Sequence, residues 1–282
     1  MLKKCISTLF IISFSITGFA QDKIKGNKNV TIVETKIDDF KAISFGEKFE
    51  IELVQSNTPS VEIETDDNLH EVIEFSVIDS VLNFRTLLKI QSRKQLKITV
   101  NYTTKLREIL INDDAEISAI GTIKNKAIEL RINDYSKAYL NIDNQYFKLI
   151  NNNISTFGIN SKSKLNIESD YVTLELNENS KTEALIVTDS LQVEMYQSAF
   201  AKIEGETDFL NLLTINSSEF SAKNLSANTC KISTEESSEA TVQVLDEILI
   251  ETSGSSEIYI YGDPKITLNA FKDSSSIHKK KL

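Results

Sequence analysis

Residues 216–261 read NSSEFSAKNLSANTCKISTEESSEATVQVLDEILIETSGSSEIYIY, and the tripeptide Ser-Ser-Glu recurs at 217–219, 237–239 and 255–257. Each copy is followed by two apolar or small residues spaced two apart: Phe220/Ala222, Ala240/Val242 and Ile258/Ile260. Such alternation places one set of side chains on one face of a strand. A period near 20 residues with two short alternating strands per unit predicts a stacked β-solenoid, not a sandwich. One unit cannot bury its own apolar edge, whereas a stack buries a continuous column.

The same pattern extends in both directions. Its anchors are Ala115, Ser136, Ser155, Ser180, Ser198, Ser218, Ser238, Ser256 and Ser275, spaced 21, 19, 25, 18, 20, 20, 18 and 19. Inward pairs follow the anchors, as at Ile117/Ala119, Ala138/Leu140, Phe157/Ile159 and Thr182/Ala184, and precede them, as at Leu130/Ile132 and Leu213/Ile215. Asn or Asp recurs just before the anchor, at Asp113-Asp114, Asn133-Asp134, Asn151 to Asn153, Asn177, Asn179 and Asn216. These residues tolerate the left-handed backbone of a sharp corner, and stacked amides can bond along a column. Two features break the pattern. Lys202 falls where an inward apolar residue is expected, and the 25-residue spacing implies an insertion around 161–170.

Upstream, FEIELVQ (49–55), VEIETDD (61–67), VIEFSVIDSVLNFRT (72–86) and QLKITVNY (95–102) alternate with period two between turn signals. They predict half-buried, antiparallel, hairpin-linked strands. DDNLHEVIEF (66–75) also fits a single helical turn. The chain therefore divides into a leader (1–20), a linker with one short strand (21–35), an N-terminal strand segment (36–104), solenoid repeats of the same domain (105–272) and a polar basic tail (273–282).

The leader MLKKCISTLFIISFSITGFA has a Lys3-Lys4 start, a short apolar run and small residues before Gln21, the layout of a secretory signal peptide cut after Ala20. The remaining 262 residues (282 − 20) carry 29 basic and 41 acidic side chains, a net charge of about −12. That balance argues against nucleic-acid or anionic-membrane binding, which need a basic footprint. Only Cys230 survives cleavage, so no intramolecular disulfide forms and it reads as an inert core thiol.

In this order and spacing, the leader, DFKAISFGEKFEIELVQSNTPSVEIETDDNLHEVIEF (39–75), LKITVNYTTKLREILINDDAEISA (96–119), the serine-punctuated repeats, SGSSEIYIYGDPKIT (253–267) and DSSSIHKK (273–280) resemble the head GIN domain family of auto-transporter adhesins. These are exported proteins of Bacteroidetes-type bacteria. The resemblance covers nearly all of the chain after the leader. It implies a right-handed parallel β-helix-like solenoid with added N-terminal strands, and it brings no catalytic residues. The family's usual Gly-Ser-Gly at repeat corners is mostly Asn-x-x-Ser or Ser-Ser-Glu here.

Serine catalysis needs a nearby base and an orienting third group. Beyond the leader the histidines are His70 and His278, which offer no such set, and one cysteine with two distant histidines cannot make a transition-metal shell. The acid pairs Asp66-Asp67, Asp113-Asp114 and Glu235-Glu236 read as solvated turn acids rather than calcium ligands, since no calcium-loop motif accompanies them. No cofactor is expected. Tyr259, Tyr261 and Tyr139 are the candidate partner-binding aromatics, with Tyr135 and Phe147 on a neighbouring outward face. The reading is an exported, non-enzymatic adhesin or envelope interaction module that presents a flat strand surface to a polymer, glycan or protein. The alternatives are a structural or regulatory envelope protein, or a polysaccharide-active β-helix enzyme.

Overall fold

The computed structural model describes residues 22–154 and 163–281. The expected signal peptide (1–20), the anchor Ser155 and the pair Phe157/Ile159 lie outside the described residues. Among those described, no helix is long and apolar enough to cross a membrane.

Nine strands precede the regular repeats: β1 (Lys23–Lys25), β2 (Val30–Lys36), β3 (Ala42–Phe45), β4 (Glu50–Gln55), β5 (Ser60–Asp66), β6 (Ile73–Ile78), β7 (Val81–Thr86), β8 (Lys89–Ser92) and β9 (Leu96–Tyr102). As expected, part of this segment is antiparallel: β2 pairs with β5, β5 with β9, and β6 with β7. The β6–β7 hairpin turns at Asp79 and Ser80, both at positive φ, as a tight two-residue turn requires. Residues 66–75 divide between a single 3-10 turn at Asp67–Leu69 and the start of β6.

β3 and β4 depart from the expected hairpin pairing. They lie parallel to the first repeat strands, with Ile43 opposite Ile109 and Ile51 opposite Ile117. Their alternating residues Ile43/Phe45 and Ile51/Leu53 are fully buried, so they form the first rung of the stack. The chain between them and residue 108 closes over this end, pairing β7 with β3 and β9 with β4.

The stack continues through β10 (Glu108–Ile111), β11 (Glu116–Lys124), β12 (Ala127–Asp134), β13 (Lys137–Asn153), β14 (Ser163–Leu176), β15 (Lys181–Met195), β16 (Phe200–Thr214), β17 (Glu219–Thr234), β18 (Glu239–Thr252), β19 (Glu257–Tyr261), β20 (Lys265–Phe271) and β21 (Ser276–Lys280). It is a parallel β-solenoid. One inward column runs Ile109, Leu130, Leu149, Leu174, Val193, Leu212, Ile232, Ile250 and Leu268, at spacings of 21, 19, 25, 19, 19, 20, 18 and 18. All but the last are buried, and each such aliphatic side chain contributes about 1.5–3 kcal/mol.

Pairing corrects two details of the sequence pattern. Lys181 lies opposite Phe200, so the residue equivalent to Ser180 is Ala199, not Ser198. Lys202 then falls in an outward column opposite Glu183, between the buried Ala201 and Ile203, and the apparent inward lysine disappears. The insertion also moves. β14 is in register with both neighbours from Ser163 onward, so the six extra residues (25 − 19) fall between Asn153 and Ser163, not at 161–170.

Among the described residues, the first corners share one recurring backbone device. A residue two before the anchor takes positive φ: Glu47, Asp113, Asp134, Glu178, Gln197, Asn216, Glu236, Gly254 and Asp273. Several of these corners bond directly to the next rung. The Asp113 N–H donates to Asp134 Oδ2 at 2.9 Å, Glu178 N–H to Gln197 Oε1 at 2.9 Å and Gly254 N–H to Asp273 Oδ2 at 3.0 Å. Gly254 is the lone glycine of the set because a Cβ there would sit 2.5 Å from the Glu236 carbonyl. The described anchor serines are buried, and four donate to corner carbonyls: Ser136 to Asp113, Ser238 to Glu235, Ser256 to Ser253 and Glu236, and Ser275 to Lys272, whereas the Ser180 hydroxyl has no partner among the described residues. They are framework hydroxyls.

Candidate functional site

The second corner, halfway along β13 to β17, faces outward with a different chemistry. Strict alternation fails there, and two consecutive residues point out: Gln145-Tyr146, Asp170-Tyr171, Asp189-Ser190, Asp208-Phe209 and Asn228-Thr229. The bend is built by small inward residues. The hydroxyls of Ser169, Thr188 and Thr207 each donate at 3.1 Å to the carbonyl two residues on, which holds the chain turned. Thr188 also donates to the Asp170 carbonyl at 3.0 Å, tying its rung to the previous one.

Stacking brings the outward residues into columns about 4.8 Å apart per rung. Asp143, Glu168, Val187 and Glu206 make one column and Asp170, Asp189, Asp208 and Asn228 the next. Between them runs an open groove of about 550 Å³. Asp143 is paired with Lys124 at 2.6 Å, and Asp208 accepts from Asn228 Nδ2 at 2.7 Å. Among the described residues Glu168, Asp170, Asp189 and Glu206 have no ion-pair partner, and no three His, Cys, Asp or Glu side chains converge as a metal-ligand group. The groove is negative and open to solvent.

Beside the aspartate column runs an aromatic one: Tyr146, Tyr171, Ser190, Phe209 and Thr229. Tyr146 and Tyr171 stack with centroids 5.3 Å apart and planes 8° from parallel, yet remain 49% and 52% exposed. Phe209 is 41% exposed two rungs further on, past the small Ser190. The arrangement suits an extended ligand that presents apolar faces to the rings and donors to the carboxylates.

The aromatics nominated from sequence lie elsewhere and do not converge. Tyr139 and Tyr259 share one outward column, but Lys164, Glu183, Lys202, Ser221 and Thr241 separate them by about 29 Å. Tyr139 is exposed on its column. Tyr259 is covered by the His278 ring at 4.9 Å and by Lys280 Nζ at 4.9 Å from its centroid. Its hydroxyl donates to Glu257, and that bond, with burial and nearby carboxylates, pushes the phenol up to about 12. Tyr261 carries Lys223 Nζ 4.8 Å above its ring. Phe147, expected outward, is a core residue because it follows the bend, where the inward parity resumes.

His278 belongs to β21 and is held in the final rung rather than in a loose tail. Its Nε2 lies 3.0 Å from Ser276 Oγ and 4.0 Å from Glu257 Oε2. Both partners meet the same nitrogen, so the carboxylate does not orient the ring from Nδ1 as a triad requires. His70 Nε2 meets the Thr31 hydroxyl at 3.0 Å. Of the acid pairs, Asp66 is buried and accepts from the Lys94 N–H, while Asp67 accepts from Asn27 and Asn29, whose amides hold its carboxyl below the usual range. Asp113 accepts from the Glu47 N–H and Asp114 pairs with Lys48 at 2.7 Å. These acids lock turns.

A family model described as "Putative auto-transporter adhesin, head GIN domain" matches residues 39–164 and again 151–264. A solved structure from Parabacteroides distasonis ATCC 8503, described as a "putative lipid binding protein", superposes with a TM-score of 0.61 at 21% identity, over 92% of this chain and 100% of its own. A "putative adhesin" from Parabacteroides merdae ATCC 43184 does so at 0.58 and 18% identity, over 92% and 99%. Another "putative adhesin" from Parabacteroides distasonis gives 0.56 and 17%, over 93% and 100%. At these identities the likeness is one of fold. No curated protein matches the chain.

Proposed function

We propose, from the premise that this chain belongs to the auto-transporter adhesin family with a head GIN domain, that it is an exported, non-catalytic binding module of the cell envelope. Its working surface is the acid–aromatic face of the second corner, and its partner is an extended polymer, glycan or protein. The supporting observation is the register of that face, where the column of Tyr146, Tyr171 and Phe209 runs beside the column of Asp170, Asp189 and Asp208, the two meeting on one rung at Asp170-Tyr171 and at Asp208-Phe209. A ligand lying along the stack meets carboxylates and rings on neighbouring rungs, so weak contacts add along its length. The unpaired carboxylates favour neutral or cationic ligands over anionic ones. The solved relatives described as adhesins or a lipid-binding protein fit a binding role rather than an enzymatic one.

The test is retention of the chain lacking residues 1–20 on immobilised neutral, amino-substituted and acidic glycans and on envelope extracts. Tyr171→Ala and Asp189→Asn should each weaken retention on the neutral or amino-substituted material while leaving thermal unfolding unchanged. Absence of binding across the whole panel overturns the reading. Export is checked separately by fusing residues 1–20 to a reporter, whose retention in the cytoplasm would remove that part.

A further inference from the structure

β7 and β9 cover the first rung, and β8, on the segment that links them, forms a small parallel sheet with β1. Lys23 lies opposite Lys89, Ile24 opposite Ile90 and Lys25 opposite Ser92. Ile90 packs on the core, so the other face, with Lys23, Lys25 and Lys89, is turned to solvent. The Gly26 N–H donates to the Ser92 carbonyl at 2.8 Å, and Lys94 Nζ to the Lys28 carbonyl at 3.5 Å. Lys28, Arg93 and Lys94 are thereby gathered against the same two strands. All six of these cations are exposed, and none has an ion-pair partner among the described residues.

The nearby carboxylates do not neutralise them. Asp66 is fully buried and accepts from the Lys94 N–H, while Asp67 is held by the amides of Asn27 and Asn29. Asp22 and Glu71 are the remaining acids of the adjoining segments. Six cations against four carboxylates leave +2 (6 − 4), in a chain that carries −10. The whole-chain balance, which argues against a basic footprint, conceals a local one. Lys23 and Lys89 stand one strand spacing apart, about 4.8 Å, and like charges so placed repel unless an anion lies against them. Leu87, two residues before Lys89, is 45% exposed and adds an apolar side chain beside the cations. Clustered lysine and arginine next to an exposed aliphatic side chain suit an anionic lipid surface, which accepts both. A long polyanion laid across the patch would run on to the acidic repeats, whereas a plane touching the capped end leaves those repeats in solution.

We propose that the β1–β8 patch docks the protein on an anionic membrane surface, with Lys23, Lys25, Lys89 and Arg93 meeting phosphate headgroups and Leu87 entering the interface. The solenoid then stands out from the lipid by its capped end, and the second-corner face stays free along its side. The inference does not depend on that face.

The experiment sediments the chain lacking residues 1–20, which keeps every described residue, with vesicles of phosphatidylcholine alone or mixed with phosphatidylglycerol. Expected are retention on the mixed vesicles only, release by raised salt, and protection of Lys23, Lys25 and Lys89 from acetylation. Lys23→Gln/Lys89→Gln should weaken binding about thirtyfold. Lys181→Gln/Lys231→Gln removes the same charge from the repeats and should leave binding unchanged. All four lysines are exposed, and unchanged thermal unfolding verifies that both variants fold. Equal retention on phosphatidylcholine alone, no retention on either vesicle, or equal weakening by the two variants overturns the proposal. So does tighter binding of soluble polyphosphate than of the vesicles, or loss of vesicle binding in Tyr171→Ala, which would move the contact to the second-corner face.

Discussion

Asn152 Nδ2 donates to Asn133 Oδ1 at 2.9 Å, one rung away and 19 residues back in the chain. Asn133 in turn donates to Asn112 Oδ1 at 2.8 Å, and Asn177 donates to Asn152 Oδ1 at 2.8 Å. The amide has one donor and one acceptor end along the stacking axis, so identical residues at equal heights satisfy each other. Asn133→Ala removes both of its ladder bonds and is expected to destabilise the chain by about 1–2 kcal/mol. The lowered midpoint of urea unfolding measures it.

The anchor serines are framework groups, and their neighbours are not. Ser256→Ala deletes a buried hydroxyl that donates to two corner carbonyls and should cost about 1 kcal/mol. Ser198→Ala, one residue before the true anchor Ala199, should stay within about 0.5 kcal/mol. Comparison of the two thermal midpoints distinguishes them.

Glu219, Glu239 and Glu257 stack in one outward column. Partial burial, then the flanking Glu219 and Glu257 carboxylates, raise the Glu239 pKa. A raised carboxyl pKa means the fold favours the protonated form. The contribution is therefore present below the unfolded value and lost as pH rises through the folded one. Glu239→Gln should gain about 0.5 kcal/mol at neutral pH, with the gain closing below about pH 4. Denaturant titrations at several pH values read this out.

Cys230 sits in the inward column between Leu210 and Ile248, and burial pushes its thiol well above the ordinary range. Iodoacetamide should leave it unmodified in the folded protein at pH 8 and label it fully in concentrated urea, as intact mass will show.

Much of the architecture is legible in the sequence because burial imposes parity. Phe220/Ala222, Ala240/Val242 and Ile258/Ile260 are inward since each flanks an outward residue on a strand, and the recurrence of Ser-Ser-Glu sets the rung. The Ser198 misplacement shows the limit. Ser and Ala are both small enough for the corner, and a shift of one residue exchanges the two faces of a strand, so composition cannot choose between 198 and 199. Hydrogen-bonded register does, through Lys181 opposite Phe200.

The functional face is legible only in three dimensions. By itself the sequence determined the solenoid, its period, the left-handed corners before the described anchors and the buried Cys230. Periodic burial, corner geometry and thiol chemistry all act over a few residues or one repeat. Tertiary structure alone decided that β3 and β4 begin the stack, that Tyr139 and Tyr259 stand far apart, and that Asp170, Asp189 and Asp208 run beside Tyr171 and Phe209. The successive members of each column on that face lie a whole repeat apart in the chain, and Ile43 lies 66 residues before its partner Ile109. Their adjacency exists only because parallel pairing holds equivalent residues one strand spacing apart.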